Sequence, residues 1–110
     1  MTIQYCISYN NKNGHTTNDG GGFDLDGGVT NSVLQYNYAY NNEGAGYLIC
    51  QYYGARRFTN NTVRYNLSQN DGRRNGMGGI EFYAFNSTGG IQDGISLSLS
   101  LSLSLSLSLS

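Results

Sequence analysis

Hydrophobic and polar residues alternate in short segments that recur along the chain with a spacing of about thirty residues. Three such segments align without a gap: residues 3–11, 34–42 and 63–71. They share an aliphatic residue in the first column, tyrosine in the third, a hydrophobic residue in the fifth, a small residue in the sixth and asparagine in the eighth. A second block, in which glycine precedes a strand-like triplet with hydrophobic first and third residues, recurs at residues 22–25, 46–49 and 79–82. This alternation, without helical periodicity, predicts two β-strands in each of three stacked repeats.

Stacking the repeats as a parallel coil turns each column of the alignment into a row of neighbours about 4.8 Å apart. The aliphatic and tyrosine columns are predicted to point inward; they contain Ile3, Leu34 and Val63, and Tyr5, Tyr36 and Tyr65. The asparagine column is predicted to form a ladder at a corner, where asparagine tolerates left-handed backbone. Its members are Asn10, Asn41 and Asn70. A second ladder is predicted from Asn37 to Asn66, broken at Cys6.

The repeated rhythm N-x-x-V/L-x-Y-N-x-x-x-N-x-G, followed by a G-[FYI]-x-[LIF] strand, resembles the right-handed parallel β-helix repeat proteins of the pectate-lyase-like superfamily. The resemblance covers Thr2 to about Asn86. It implies an all-β fold, a right-handed parallel β-helix (solenoid) of about three coils spanning residues 1–94, as a fragment of a longer protein. It also implies a parent that is extracellular or at the cell surface and that acts on or binds polysaccharide, as a lyase or a glycoside hydrolase. The scaffold hosts many activities, so it does not specify the reaction.

The length and the net charge of the chain limit the kinds of partner that it can bind. The chain has 110 residues and a net charge of −1, which suits one small domain and argues against nucleic-acid binding or a membrane surface. No signal peptide is visible, and we expect the true N-terminus to lie upstream of Met1. Residues 95–110 form a low-complexity tail of alternating serine and leucine, consistent with a simple-sequence run. Self-association through open coil ends and this tail is expected, and a truncated gene product without activity stays an alternative.

The candidate catalytic residues are three carboxylates. If Phe23 and Leu25 point inward, Asp24 and Asp26 both point outward, roughly 6–7 Å apart along the strand. Glu81 occupies the column of Asp24, with Leu48 between them. Such a pair could serve an inverting glycosidase as general acid and base, could bind Ca²⁺ with backbone oxygens, or could simply solubilise the strand. No other cofactor is indicated.

The candidate substrate-binding residues are tyrosines and arginines. One group follows the second strand block: Tyr52, Tyr53, Arg56, Arg57 and Tyr83. Arg73 and Arg74 belong to a polar rim of corner loops, together with His15, Asp19, Glu43 and Asp71. Exposed tyrosines suit sugar-ring stacking and guanidinium groups suit carboxylate recognition, although the tyrosines could instead cover the coil edge. The His-Gly and Arg-x-Lys motifs of the polygalacturonase-like members are absent, so no catalytic residue is transferred from the resemblance. Cys6 and Cys50 are expected to be free thiols, because they fall in different columns.

Overall fold

The computed structural model describes residues 1–14, 19–74 and 76–84 in full and gives the backbone of two further strands at residues 91–92 and 96–98. These residues contain short β-strands and no helix. The strands are β1 (Thr2–Gln4), β2 (Ile7–Tyr9), β3 (Phe23–Leu25), β4 (Val33–Gln35), β5 (Tyr38–Tyr40), β6 (Tyr47–Gln51), β7 (Phe58–Thr59), β8 (Thr62–Arg64), β9 (Leu67–Gln69), β10 (Ile80–Ala84), β11 (Ile91–Gln92) and β12 (Ser96–Ser98). None of the described residues belongs to a helix that could cross a membrane.

Every pairing between these strands is parallel and joins equivalent positions of successive repeats. The sheet orders are β1-β4-β8-β12, β2-β5-β9, β3-β6-β10 and β7-β11, and none of these sheets is closed. In the first sheet, Ile3 lies opposite Leu34, which lies opposite Val63. The third sheet aligns Asp24 with Leu48 and Leu48 with Glu81. The structure therefore confirms the gapless alignment predicted from the sequence and the all-β class. It corrects the number of strands: the described residues form three or four strands in each repeat instead of two, because the backbone turns within the first block.

The hydrophobic core runs between the sheets and is built from the inward columns. Its buried members are Leu25, Leu34, Ala39, Tyr47, Ile49, Phe58 and Val63. Ile3, Phe23, Val29 and Ile80 pack against them and are partly buried. Burial of these side chains is the main force that holds the short strands together, because strands of three residues cannot persist alone.

The tyrosine column is not inward, which corrects the prediction. Tyr5, Tyr36 and Tyr65 are 74%, 46% and 51% exposed. Each has a left-handed backbone, with φ of 57°, 54° and 54°, directly after a strand. This conformation ends the period-two alternation and turns the side chain outward at a corner. The rings still stack on one another, with centroids 5.5 Å and 5.2 Å apart.

The asparagine ladders are confirmed. Asn10, Asn41 and Asn70 have φ near 56°, and the Asn70 amide donates to Asn41 Oδ1 at 2.6 Å. In the second ladder the side-chain amide of Asn37 donates to Asn66 Oδ1 at 3.1 Å. At Cys6 the ladder of side chains ends, as predicted, and the backbone N–H of Cys6 donates to Asn37 Oδ1 at 3.0 Å.

A third ladder was not predicted. The side chain of Asn11 donates to Asn42 Oδ1 at 2.8 Å, and the side chain of Asn42 donates to Asp71 Oδ1 at 2.7 Å. Asp71 is therefore buried, at 9% exposure, which corrects its assignment to the solvated rim.

The start of the serine–leucine tail adds a strand to the first sheet. Ser96 lies opposite Thr62 and Leu97 opposite Val63, in the same parallel register as the repeats. His15, Asn86 and residues 99–110 lie outside the described residues, so the expectations that concern them stay predictions. The division of the chain at residue 94 also stays a prediction.

Candidate functional site

The outward face of the third sheet carries the three candidate catalytic residues. In β3 the side chains of Phe23 and Leu25 turn towards the core and that of Asp24 is exposed, as alternation along a strand requires. Two outward columns result. One contains Asp24, Leu48 and Glu81, and the other aligns Tyr83 with Cys50 beside Asp26.

Loops from the rim fold against this face and form a groove. A cleft of about 310 Å³ is lined by Asp19, residues 20–22, Phe23, Asp24, Ala45, Leu48 and Met77. A second cleft of about 190 Å³ shares Asp19, Leu48 and Met77 with the first and adds Cys50 and Tyr83. We call these two clefts together the acidic groove. Its floor is largely apolar and its carboxylates, from Asp19 and Asp24, come from different segments of one repeat.

The backbone of residues 21–22, just before β3, packs closely against the backbone of residues 45–46 in the next repeat. A Cβ on Gly22 would lie 2.7 Å from the carbonyl oxygen of Gly46 and 2.9 Å from Cβ of Ala39. A Cβ on Gly21 would lie 2.9 Å from the carbonyl oxygen of Ala45. The glycine run before β3 therefore reflects packing of one repeat on the next, and it brings Asp19 beside Asp24.

Asp24 has the perturbed acidity expected of a proton donor. Partial burial of its carboxyl group, followed by the negative charges of Asp26 and Asp19, raises the pKa of Asp24 to about 6. The group therefore titrates close to neutrality, where a carboxylic acid can both hold and release a proton.

The two other carboxylates have fixed positions. Asp26 Oδ1 accepts a hydrogen bond of 2.6 Å from the backbone N–H of Gly27. Glu81 Oε2 accepts one of 3.3 Å from Gly78 N. Glu81 is two strands away from Asp24, which corresponds to about 10 Å. Asp26 is thus the nearer partner for Asp24.

Both cysteines are free thiols, as predicted. Burial, then the charge of Asp26, raises the pKa of the Cys50 thiol to about 11. Cys50 is therefore protonated near neutral pH and acts in the groove as a small, mostly apolar surface rather than as a nucleophile.

The tyrosines and arginines predicted to bind substrate do not form one cluster. Tyr52, Tyr53, Arg56 and Arg57 lie on the turn that follows β6. The buried side chain of Gln51 holds this turn, because it donates to the Arg56 carbonyl at 2.8 Å and accepts from Gly28 N at 3.2 Å. The Tyr52 ring lies against Gly27, the residue that follows Asp26.

Arg73 and Arg74 lie elsewhere, in a cleft that shares no residue with the acidic groove. Together with Asn10, Lys12, Asn41 and Glu43 they line a polar cleft of about 560 Å³. Of the residues proposed for substrate binding, only Tyr83 lines the acidic groove itself.

Calcium binding at these carboxylates stays a prediction, which would need backbone oxygens as further ligands. Among the described residues, no group of three or more histidine, cysteine, aspartate or glutamate side chains is placed to hold a metal ion. Calcium takes six to eight oxygen ligands, of which a pair of carboxylates provides few.

Sequence reasoning missed Met77 as part of the groove and the way Leu48 forms its floor. The signal was present, since loops that recur at one corner of a repeat project to one side and build binding surfaces. Neither residue type carries chemistry, so neither stood out.

Comparison with known proteins finds one similarity among curated proteins. No family model matches the chain, and no solved structure matches it. Among curated proteins, the chain is similar to a lacto-N-biosidase of Bifidobacterium longum subsp. longum, with 45% identity over 70 residues. The aligned stretch is 63% of this chain and 4% of the lacto-N-biosidase, so the chain spans a small part of that relative.

Proposed function

We propose that this chain is a segment of a right-handed parallel β-helix in an extracellular, carbohydrate-active protein, and that its acidic groove holds a glycan. The repeated parallel register supports the β-helix, since equivalent residues of three repeats align column by column in three sheets. The likeness to a lacto-N-biosidase, a glycoside hydrolase, supports the substrate class.

The observation that carries the catalytic part of the proposal is the Asp24 carboxyl group with its pKa of about 6, exposed in a groove beside Asp26. Alternate positions along one strand place two carboxyl groups roughly 6–7 Å apart. That separation is close to the one that inverting glycosidases use, where water must fit between acid and base.

The proton path follows from this arrangement. Asp24 in its protonated form donates a proton to the glycosidic oxygen while the bond from that oxygen to the anomeric carbon breaks. Asp26 in its ionised form takes a proton from the water that attacks the anomeric carbon. Glu81, farther along the column, contacts a neighbouring sugar unit. Leu48 and Met77 provide the apolar floor on which the sugar's C–H face rests.

The test uses oligosaccharides that end in lacto-N-biose, with release of new reducing ends and calorimetric binding both measured on the full chain. We expect wild type to bind and to release reducing ends, more slowly as the pH rises above 6. Asp24→Asn should bind with similar affinity and abolish release. Gln4→Glu, an acidic change at an exposed position of the first sheet where the side chain accepts a hydrogen bond from Gln35, is the control and should leave both unchanged.

A second candidate function is glycan binding without catalysis. It is favoured by one observation: apolar Leu48 separates Asp24 from Glu81 in the column where a second catalytic carboxylate would be nearest across the strands. Binding of the oligosaccharide without any release of reducing ends would support this candidate and reject the catalytic one. Absence of binding at millimolar oligosaccharide would reject both.

A further inference from the structure

The rim loops separate two clefts of opposite charge. The side that faces the third sheet contains the acidic groove, with Asp19 and Asp24. The other side contains the polar cleft of about 560 Å³ described above, which we call the basic cleft. Its residues are Asn10, Lys12, Asn41, Glu43, Arg73 and Arg74. The same three loops, one from each repeat, contribute to both sides.

The basic cleft has an excess of positive charge. Three cationic side chains surround one carboxylate, that of Glu43. Glu43 Oε2 accepts a hydrogen bond of 3.0 Å from Asn13 N, and Glu43 Oε1 lies 3.6 Å from Arg74 Nε. Within the part of the chain that the structure describes, neither Lys12 nor Arg73 makes a side-chain hydrogen bond or an ion pair. Two of the three cations are therefore available to an anion from outside.

Hydrogen bonds between the loops fix the backbone that carries the two arginines. Arg74 N donates to Glu43 O at 2.8 Å and Arg73 N donates to Asn42 O at 3.3 Å. Glu43 N in turn donates to Asn11 O at 3.0 Å, so the three loops form a hydrogen-bonded stack. Preorganised donors lose less conformational freedom when a ligand binds than donors on free loops.

The chemistry of these groups fits a small oxyanion on a polar molecule. Guanidinium and ammonium groups make charge-assisted hydrogen bonds to carboxylate and sulfate oxygens, and asparagine amides bond to hydroxyl groups. A long polyanion such as nucleic acid would need a stripe of cations, whereas the chain has six lysines and arginines in all and a net charge of −1.

We propose that the basic cleft binds the anionic group, a carboxylate or a sulfate, of an acidic glycan. This inference rests on the proposed function only in taking a glycan as the carrier of the anion. Arg73 and Lys12 contact the anion, Arg74 shares its charge between the anion and Glu43, and the asparagines contact sugar hydroxyl groups.

The experiment is calorimetric titration of the full chain at low salt with three tetrasaccharides: neutral galactose units, the same units sulfated, and galacturonate units. Inorganic sulfate is titrated separately. We expect at least one acidic tetrasaccharide to bind on the order of tenfold more tightly than the neutral one. Lys12→Gln with Arg73→Gln should remove this preference and leave neutral binding unchanged. Glu43→Gln should increase affinity for the acidic sugar, a gain that a purely structural role of Glu43 does not produce.

Arg64→Gln is the matched control for Arg73→Gln alone, because each change removes one positive charge and Arg64 is an exposed arginine on the first sheet. A preference for the sulfated sugar identifies sulfate as the ligand, and a preference for galacturonate identifies carboxylate.

Equal affinity for neutral and acidic tetrasaccharides, or an equal loss in Arg64→Gln, would overturn the proposal while the proposed function stands. Binding of inorganic sulfate that is lost in the double variant, with no binding of any tetrasaccharide, would support the anion site and overturn the glycan function. No binding of sugar or sulfate would overturn both.

Discussion

Asn42 donates two hydrogen bonds to one oxygen of Asp71: its backbone N–H at 3.0 Å and its side-chain amide at 2.7 Å, both to Oδ1. Asn11 makes the same pair of bonds to Asn42 one repeat earlier, at 3.0 Å and 2.8 Å. Asp71 therefore occupies the next position of an asparagine ladder. Its carboxylate oxygen accepts the two hydrogen bonds that an asparagine side-chain oxygen accepts one repeat earlier. Its second oxygen accepts a bond of 2.5 Å from Ser68 Oγ.

Replacing Asp71 with asparagine should make the protein at least as stable at pH 7. Burial raises the pKa of Asp71 above its ordinary 3.8, although the bonds from Ser68 and Asn42 oppose this effect. The folded protein thus holds the proton more tightly than the unfolded chain does. The stabilisation is complete below pH 3.8 and is lost as the pH rises through the folded-state pKa. Asp71→Asn should remove this pH dependence, as urea denaturation between pH 3 and pH 8 will measure.

Asp71→Ala is the control for the ladder itself. It leaves the donors of Asn42 and Ser68 without their acceptor, and we expect it to be about 2 kcal/mol less stable than Asp71→Asn at all these pH values. A stability difference between wild type and Asp71→Asn that does not vary with pH would contradict the titration argument.

The second ladder can be both broken and extended. Asn66 Oδ1 accepts from the backbone and side chain of Asn37, and its amide donates to Leu34 O at 2.8 Å. Asn66→Ala should cost about 2–3 kcal/mol in the free energy of unfolding, because buried donors lose their partner. Cys6→Asn adds a member at the end where the ladder stops and should add about 0.5–1 kcal/mol. Thermal unfolding checks both, and a destabilised Cys6→Asn would show that the column does not accept a third amide.

Gly46 separates the third ladder from the core. A Cβ there would lie 2.5 Å from both Asp71 Oδ2 and Ser68 Oγ and 2.6 Å from Gly79 O. Gly46→Ala should therefore destabilise the protein by about 3 kcal/mol through overpacking. Gly54→Ala is the comparison, since Gly54 has φ of +81° with open space around it and the change costs only backbone strain, about 1 kcal/mol. Equal losses in the two variants would mean that the contacts at Gly46 relax freely.

The acidity of Asp24 can be measured directly by following its carboxyl carbon with NMR as pH changes. We expect a midpoint near 6, set first by burial and then by the charges of Asp26 and Asp19. Asp26→Asn and Asp19→Asn should each lower the pKa of Asp24 and still leave it above 3.8, because burial remains. An unchanged midpoint in both variants would show that the neighbouring charges do not act on Asp24.

Much of the fold was readable from the sequence because the repeats are stacked in register. Leu34 lies between Ile3 and Val63, and Asn37 beside Asn66, so each column had to be chemically similar and could be seen as a column in the alignment. The outward direction of Asp24 followed from alternation within a three-residue strand. These relations are local or strictly periodic, so they can be recognised from the order of the residues alone.

Other relations depend on the path of the backbone between strands. The left-handed conformation of Tyr36 reverses the face on which its ring lies, and alternation alone cannot signal such a bend. Likewise, the sequence places Asp71 in a polar loop, and only the structure shows that it is buried and accepts a hydrogen bond from the Asn42 amide.

The sequence by itself determined the repeat, most columns of its core and two of its asparagine ladders, since identical contacts between repeats require similar residues at a fixed spacing. Only the tertiary structure decided how the rim loops fold. These loops differ in length, so they share no columns, and their side chains meet through packing rather than through register. That packing places Asp19 and Met77 beside Asp24 and Leu48 and contributes to the raised pKa of Asp24. It also brings Lys12, Arg73 and Arg74 together in a separate cleft.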